Sequence, residues 1–116
     1  MTDHPRPPQL PHHRLLAYSV ATELLVAIKA AGIRDAKLRD EALRAAKSAC
    51  CNIAEGAGRF SRADKARALT IARGECIEAF AALETAAAVG DAEKTDVATC
   101  LPLTRRLYAL LTGLIR

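Results

Sequence analysis

The sequence predicts an all-α protein, folded as an antiparallel, up-down-up-down four-helix bundle. Alanine and leucine, which favour helices, supply 25 and 15 of the 116 residues. Apolar residues recur at steps of three and four along most of the chain, and glycine or aspartate separates the periodic segments. No segment shows the alternating pattern of a β-strand. Four amphipathic segments joined by short turns pack most simply as one bundle.

The N-terminal residues are predicted to lie outside this bundle. Four of the five prolines fall within the first eleven residues, where their fixed φ and missing N–H groups exclude a helix. We therefore expect a flexible, Pro-rich arm over residues 1–13 and the bundle over residues 14–116. Three histidines lie in or beside the arm, where a solvated side chain is favoured over a weak metal or phosphate contact: His4, His12 and His13.

Glycine and aspartate delimit the first two helices. Apolar positions repeat from Arg14 to Ala31, and Gly32 is a typical C-terminal glycine. Asp35 is a suitable N-cap for the second helix, which the periodicity carries to Glu55. Two glycines, which readily adopt positive φ, are then expected to break the helix: Gly56 and Gly58.

The third and fourth helices have equally clear boundaries. Ser61 followed by Asp64 resembles a capping box, and the third helix is expected to end at Gly90. Asp91 is the expected cap of the fourth helix. Pro102 lies inside that helix, where it removes one backbone hydrogen bond, so we predict a kinked helix. The alternative is a helix that restarts at Pro102, because proline suits a first helical turn.

The fourth helix carries more apolar surface than one bundle face needs. It has two parallel apolar seams, and the second is left over once the first faces the core. This surplus predicts self-association, with an interface between copies at four leucines: Leu103, Leu107, Leu110 and Leu114.

The charge distribution suggests a polyanionic partner. The net charge is +4 and the pI about 9.1, and residues 34–73 alone carry a net +5. The candidate nucleic-acid contacts are eight basic residues: Lys37, Arg44, Lys47, Arg59, Arg62, Lys65, Arg67 and Arg73. Only Phe60 offers an aromatic ring beside them, so little sequence specificity is expected. The alternative is a solvated charged surface, balanced by Asp40, Glu41 and Asp64.

Catalysis, cofactors and membranes find no support in the sequence. No nucleophile has a firmly placed base, and no cluster has metal-ligand spacing, so we expect neither an enzyme nor a bound cofactor or metal. No membrane span or signal peptide is evident, which predicts a cytoplasmic location. The cysteines lack a C-x-x-C pair and are interpreted as reduced core residues: Cys50, Cys51, Cys76 and Cys100.

The densest motif joins the second and third helices and reads SACCNIAEGAGRFS over residues 48–61. A structural interpretation is favoured, in which glycine turns the chain and Asn52 and Glu55 hydrogen-bond near the turn. Arg59 is then free to pair with Glu55. The alternative is a polar core site that includes Asn52, Glu55 and Glu78.

This motif resembles the signature of a family of small four-helix bundles encoded by intervening sequences in bacterial 23S ribosomal RNA genes. The matching residues are Ser48, Asn52, Ile53, Ala54, Glu55, Gly56, Gly58 and Arg59. A second match follows at Gly74 and Glu78, although Glu75 stands where the family usually has serine. The aromatic-proline and glutamine features common before the signature are replaced over residues 32–38.

The resemblance covers about residues 14–116 and implies a four-helix bundle. These proteins are also similar to the accessory variability determinants of diversity-generating retroelements, which implies a ring-forming homopentamer with a basic surface, serving nucleic acid and a reverse transcriptase. The first functional hypothesis is therefore a non-enzymatic, homo-oligomeric accessory protein that binds nucleic acid, RNA above all, with little sequence specificity. The alternative is a protein–protein adaptor or assembly scaffold that uses the apolar surface of the fourth helix or the N-terminal arm.

Overall fold

The computed structural model describes residues 9–116 and contains four α-helices in that range. A short 3₁₀ helix, Pro11–Arg14, precedes them. The helices are α1 (Leu16–Ala30), α2 (Ala36–Gly58), α3 (Arg62–Ala88) and α4 (Lys94–Ile115). The described residues form no strand. The predicted all-α fold with four helices is therefore confirmed.

Successive helices pack against each other, and α1 also contacts α4. The three connections between helices are only three to five residues long, so each helix reverses the direction of the one before. Side-chain contacts agree with this direction: Arg44 of α2 reaches Glu75 of α3, and Arg73 of α3 reaches Thr112 of α4. The arrangement is consistent with the predicted antiparallel bundle.

The core is built mainly from alanine, with a few larger side chains at its centre. The inward face of α4 repeats at steps of four, three and four through Cys100, Thr104, Leu107 and Leu111. Leu107 has no exposed surface, so its assignment to an interface between copies is wrong. The rotation of α4 about its axis decides which leucines face the core. Packing against α1 and α3 turns Leu107 of the predicted second seam inward. Of the other three, Leu114 is exposed and Leu103 and Leu110 are half-buried against the core.

The C-terminal part of α2 differs from the prediction. The helix continues through Gly56 to Gly58, and neither glycine has a positive φ. Gly56 is instead packed against α3, where a Cβ atom would lie 3.0 Å from two side-chain atoms of Leu69. The expected break at these glycines is therefore wrong at Gly56, whose missing side chain allows α2 and α3 to approach closely. Positive φ occurs at Gly32 and Gly90.

Helix α4 is continuous from Lys94 to Ile115, with Pro102 in its interior. The alternative in which a helix restarts at Pro102 is therefore wrong. Pro102 cannot donate to the carbonyl of Ala98, and both residues are exposed, which lets water hydrate that carbonyl. The N-cap is Glu93 rather than the predicted Asp91, whose carbonyl instead accepts a hydrogen bond from the N–H of Arg34 at 2.8 Å.

The N-terminal boundary also shifts. The predicted arm ends at residue 13, but the 3₁₀ helix begins at Pro11 and contacts α2. The ring of His12 packs edge-on against Tyr18, with 4.6 Å between ring centroids. The packed part of the chain thus includes the last three residues assigned to the arm. Residues 1–8 of the arm, with His4, lie outside the described residues.

Candidate nucleic-acid interface

The bundle has two structurally different ends. We call one the turn end: it holds the three-residue connection 59–61, the 3₁₀ helix and the C-terminal end of α4. The other, the loop end, holds the connections 31–35 and 89–93. These two loops touch, because the N–H of Arg34 donates to the carbonyl of Asp91.

The two ends differ in net charge, chiefly because most of the acidic residues lie at the loop end. We counted the connections, the six α-helix residues nearest each end, the 3₁₀ helix and the C-terminal residue. The turn end then has six basic and two acidic residues, and the loop end five basic and seven acidic. The turn end carries Arg14, Arg59, Arg62, Lys65, Arg67 and Arg116, with Glu55 and Asp64. The loop end carries Lys29, Arg34, Lys37, Arg39 and Lys94, with Asp35, Asp40, Glu41, Glu84, Asp91, Glu93 and Asp96.

The connection at the turn end is held by side chains on both sides. The Ser61 hydroxyl accepts a hydrogen bond from the N–H of Asp64 at 3.0 Å, which caps the start of α3. Lys65 Nζ donates to the carbonyl of Ala57 at 3.1 Å, near the C-terminal end of α2. A cation at this end also interacts favourably with the helix dipole. The predicted cap Ser61 is confirmed, and Lys65 has a structural contact as well as its charge.

The four polar residues of the signature hydrogen-bond in two pairs. Asn52 Nδ2 donates to the carbonyl of Ser48 at 2.9 Å and to its hydroxyl at 3.1 Å. Arg59 pairs with Glu55, as the structural interpretation predicted, and this hydrogen bond raises the pKa of Arg59. Glu78 does not join Asn52 and Glu55, so the alternative of one polar site from these three residues is wrong.

A small polar pocket lies between the ends of α2 and α3. Its volume is about 160 Å³, below the roughly 300 Å³ at which small-molecule and cofactor sites begin. It is lined by Asn52, Glu55, Arg59, Asp64, Arg67, Ala68 and Ile71. The signature motif therefore surrounds a solvent-sized recess rather than a cofactor cavity.

Arg62 and Arg67 are the basic residues of α3 most available to a ligand. Both are exposed, and neither forms a salt bridge or a side-chain hydrogen bond with another described residue. They lie about one and a half helical turns apart at the start of α3. Arg14, in the 3₁₀ helix at the same end, is also exposed.

Arg44 is in a different situation. Its guanidinium pairs with Glu41 at 2.7 Å, Glu75 at 3.1 Å and Glu78 at 3.3 Å. The hydrogen bond from Arg44 is the main reason that the pKa of Glu41 falls to about 2. Three carboxylates thus outweigh one guanidinium, and Arg44 is not a free cation for phosphate.

The eight predicted contacts do not form one surface. Lys37 lies in the first turn of α2, about 33 Å along the helix direction from Arg59. Lys47 lies between the two ends on α2 and is exposed. Arg73 donates to the hydroxyl of Thr112 at 3.1 Å and sits 5.4 Å from the ring centre of Tyr108, so it links α3 to α4.

The predicted list also misses two cations of the turn end, Arg14 and Arg116. Alternating helix directions place the start of α1 and the end of α4 beside connection 59–61. The predicted antiparallel topology was therefore enough to bring Arg14 and Arg116 to this end. A count of charge along the chain is not enough, because these residues lie far apart in sequence.

Within residues 9–116, no group of three or more His, Cys, Asp or Glu side chains is placed to hold a metal ion. No helix among these residues is long and apolar enough to span a bilayer. The buried thiols resist ionisation, since desolvation raises the pKa of Cys76 to about 11 and also raises that of Cys50. Cys51 is exposed, contrary to its interpretation as a core residue.

Comparison with known proteins identifies the family. No curated protein matches the chain. A family model described as 23S rRNA-intervening sequence protein matches residues 15–113. The match runs from α1 to the last turn of α4 and includes the signature at the turn end. The chain therefore belongs to the 23S rRNA-intervening sequence protein family.

Proposed function

We propose that this protein is a non-catalytic nucleic-acid-binding protein, with RNA as the first ligand to test, and that its turn end contacts the phosphate backbone. The observation that carries the proposal is the basic excess at this end, where Arg62 and Arg67 are exposed and have no ion-pair partner among the described residues. By contrast, Arg44 on α2 is paired with carboxylates of the fold.

The chemistry of these residues suits phosphate. Arginine presents a planar set of donors that matches phosphate oxygens in a bidentate manner. The Ser61 cap and the Lys65 contact hold the start of α3 in place. The backbone positions of Arg62 and Arg67 are therefore fixed relative to each other. Contacts to phosphate position a nucleic acid without reading its sequence. Binding with little sequence specificity follows.

We further propose that several copies assemble into a ring, a homopentamer being the state that the family resemblance implies. Support comes from the apolar surface that α4 leaves outside the core, at Leu114 and at the half-buried Leu103 and Leu110. A ring would present several turn ends to one polyanion and multiply the phosphate contacts. Light scattering measures the mass directly, and a stable 12.4 kDa monomer at micromolar concentration would contradict the assembly.

The test of binding compares two variants with the same loss of charge. Arg62→Ala with Arg67→Ala removes two cations from the turn end, and Lys29→Ala with Lys94→Ala removes two exposed cations from the loop end. Fluorescence anisotropy across a salt series gives the affinity for RNA and its salt dependence. The turn-end variant should bind more weakly, and its slope of log K against log salt should fall by about 1.4 to 1.8 for two lost phosphates per engaged copy.

The control should change affinity little, because its charges lie at the opposite end of the bundle. Equal weakening by both variants would mean that net charge, rather than the turn end, attracts the RNA. Absence of binding by the unmodified protein at low salt would remove the proposal. A protein partner for the apolar surface of α4 would then be the function to test.

A further inference from the structure

Phe60 is a feature of the turn end that phosphate contact does not explain. It is the middle residue of connection 59–61, and its side chain is fully exposed, at 101% of the reference area. Its neighbours along the chain are charged or polar: Arg59 before it, then Ser61 and Arg62. A fully hydrated phenyl ring buries no apolar surface and so adds no hydrophobic stabilisation to the fold.

The backbone on both sides of this ring is well defined. Helix α2 ends two residues before it, and Ser61 caps α3 directly after it. Lys65 also bridges from α3 to the end of α2. Among the described residues, the ring of Phe60 has no aromatic partner and no cation over its face. Both faces of the ring are therefore open on a fixed support.

We propose that Phe60 stacks on an unpaired base of a single-stranded nucleic acid whose phosphates are bound by Arg62 and Arg67. The inference rests on the proposed function and specifies its ligand. An aromatic ring beside cations is the arrangement with which proteins hold single strands, because every base has a π face and every nucleotide a negative charge. In a duplex the bases are already stacked on one another, so the ring has a partner only at the ends.

The surroundings of Phe60 favour this ligand over an apolar partner. A protein groove or a membrane surface is bound by a contiguous apolar patch. Phe60 is a single ring between polar residues, and the exposed leucines of the same end, Leu10, Leu16 and Leu114, belong to other elements. Charge complementarity points in the same direction, since the first two turns of α3 carry the exposed Arg62 and Arg67.

The central variant is Phe60→Ala. We expect its affinity for an unstructured single strand, such as oligo-uridine or oligo-thymidine, to fall about tenfold, equivalent to about 1.4 kcal/mol. Affinity for a duplex of the same length should not change. The salt dependence should also stay the same, because no charge is removed. Arg62→Ala with Arg67→Ala should lower the salt dependence instead, so the two contributions are separable.

A fluorescent variant locates the contact. The chain contains no tryptophan, so Phe60→Trp creates a single reporter at the turn end. Val89→Trp is the matched control, because Val89 is also exposed but lies in a connection at the loop end. A stacked base should quench the emission at position 60 and leave the emission at position 89 unchanged. Oligo-uridine and oligo-thymidine, tested separately, distinguish RNA from DNA as the source of the base.

Several results would overturn the inference while leaving the proposed function intact. One is binding that remains salt-dependent and sensitive to the arginines but is equally strong for Phe60→Ala. Equal quenching at both reporters is another. A change of oligomeric mass in Phe60→Ala would place the ring between copies, and a blue shift of Phe60→Trp with anionic lipid vesicles but not with oligonucleotides would assign it to a membrane. If the unmodified protein binds neither single strands nor duplexes, both proposals fail together.

Discussion

The two ends of the bundle reverse the chain by different means and carry different charge. At the loop end, Gly32 and Gly90 adopt positive φ within connections of five residues. At the turn end, three residues suffice, and no described residue there has a positive φ. The loop end has more acidic than basic side chains, and the turn end has a strong basic excess. At the loop end the nearby carboxylates balance the cations, whereas at the turn end two carboxylates face six cations.

Arg34 shows how the loop end uses a cation. Its side chain donates to the carbonyl of Gly90 and pairs with Glu93 at 3.5 Å, while its N–H bonds to Asp91. These contacts join the two loops of that end, although each exposed pair contributes no more than about 1 kcal/mol. Arg62 and Arg67 have no such contacts among the described residues. Their positions are the ones that the proposed contact with phosphate uses.

The largest expected effect is at the turn end, in the variant Gly56→Val. A Cβ atom at Gly56 would lie 3.0 Å from the side chain of Leu69 and 3.3 Å from the Cβ of Ala68. The two further methyl groups of valine need space that the contact between α2 and α3 does not have. We expect the free energy of unfolding to fall by about 1–3 kcal/mol. Thermal unfolding at fixed protein concentration measures it, at about 4–8 °C per kcal/mol.

Gly58→Ala is the matched control for Gly56→Val. A Cβ atom at Gly58 would meet no atom within 4 Å, and the residue is the last of α2. Stability should stay the same or rise by up to about 0.5 kcal/mol, because alanine favours a helix. A similar loss in both variants would mean that helix termination, not close packing, requires glycine at the turn end.

The second-largest loss of stability is expected at the loop end, in the variant Gly90→Ala. The φ of Gly90 is +84°, and a Cβ atom there would meet nothing within 4 Å, so the strain is in the backbone alone. We expect a loss of about 1–2 kcal/mol in unfolding free energy. Gly90→Asn should lose less, because asparagine tolerates positive φ better than alanine. If asparagine were the worse substitution, a steric cause would replace the conformational one.

These glycines show which parts of the fold were accessible from the sequence. Gly32 and Gly90 were assigned to helix ends because a C-terminal glycine depends on its own helix. Gly56 was assigned to a helix break on the same rule, and the rule failed because its role depends on Leu69 in the next helix. Local features were predicted well, and features set by a second element were not.

The same contrast between local features and features set by a second element applies to the candidate site. Arg62 is identified from its place in a basic segment, and no carboxylate among residues 9–116 pairs with it. Arg44 has the same appearance in the sequence, yet two of its three carboxylate partners come from α3. Leu107 was placed outside the core because the rotation of α4 is set by its neighbours rather than by its own pattern. Ion pairing and helix rotation require the packed structure.

The smallest expected effect tests whether Arg44 belongs with the paired cations, through the variant Glu41→Gln. The pKa of Glu41 falls from 4.5 to about 2, chiefly because of its hydrogen bond with Arg44. Glu41 therefore contributes stability that is present above pH 4.5 and is lost as the pH falls toward 2. The pKa of Glu78 is raised, chiefly by its hydrogen bond with Glu41, so its contribution has the opposite sign and offsets part of this loss.

Thermal unfolding from pH 5 to pH 2 should consequently show a shallower loss of stability in Glu41→Gln than in the unmodified protein. The difference should be smaller than either glycine effect, because the groups are exposed to solvent. Asp40→Asn removes the neighbouring exposed carboxylate, which lies outside the Arg44 cluster, and controls for the change in net charge. Parallel curves for Glu41→Gln and the unmodified protein would show that Arg44 is not held by this carboxylate. Arg44 would then be held by Glu75 and Glu78 alone, and its contrast with the unpaired arginines of the turn end would weaken.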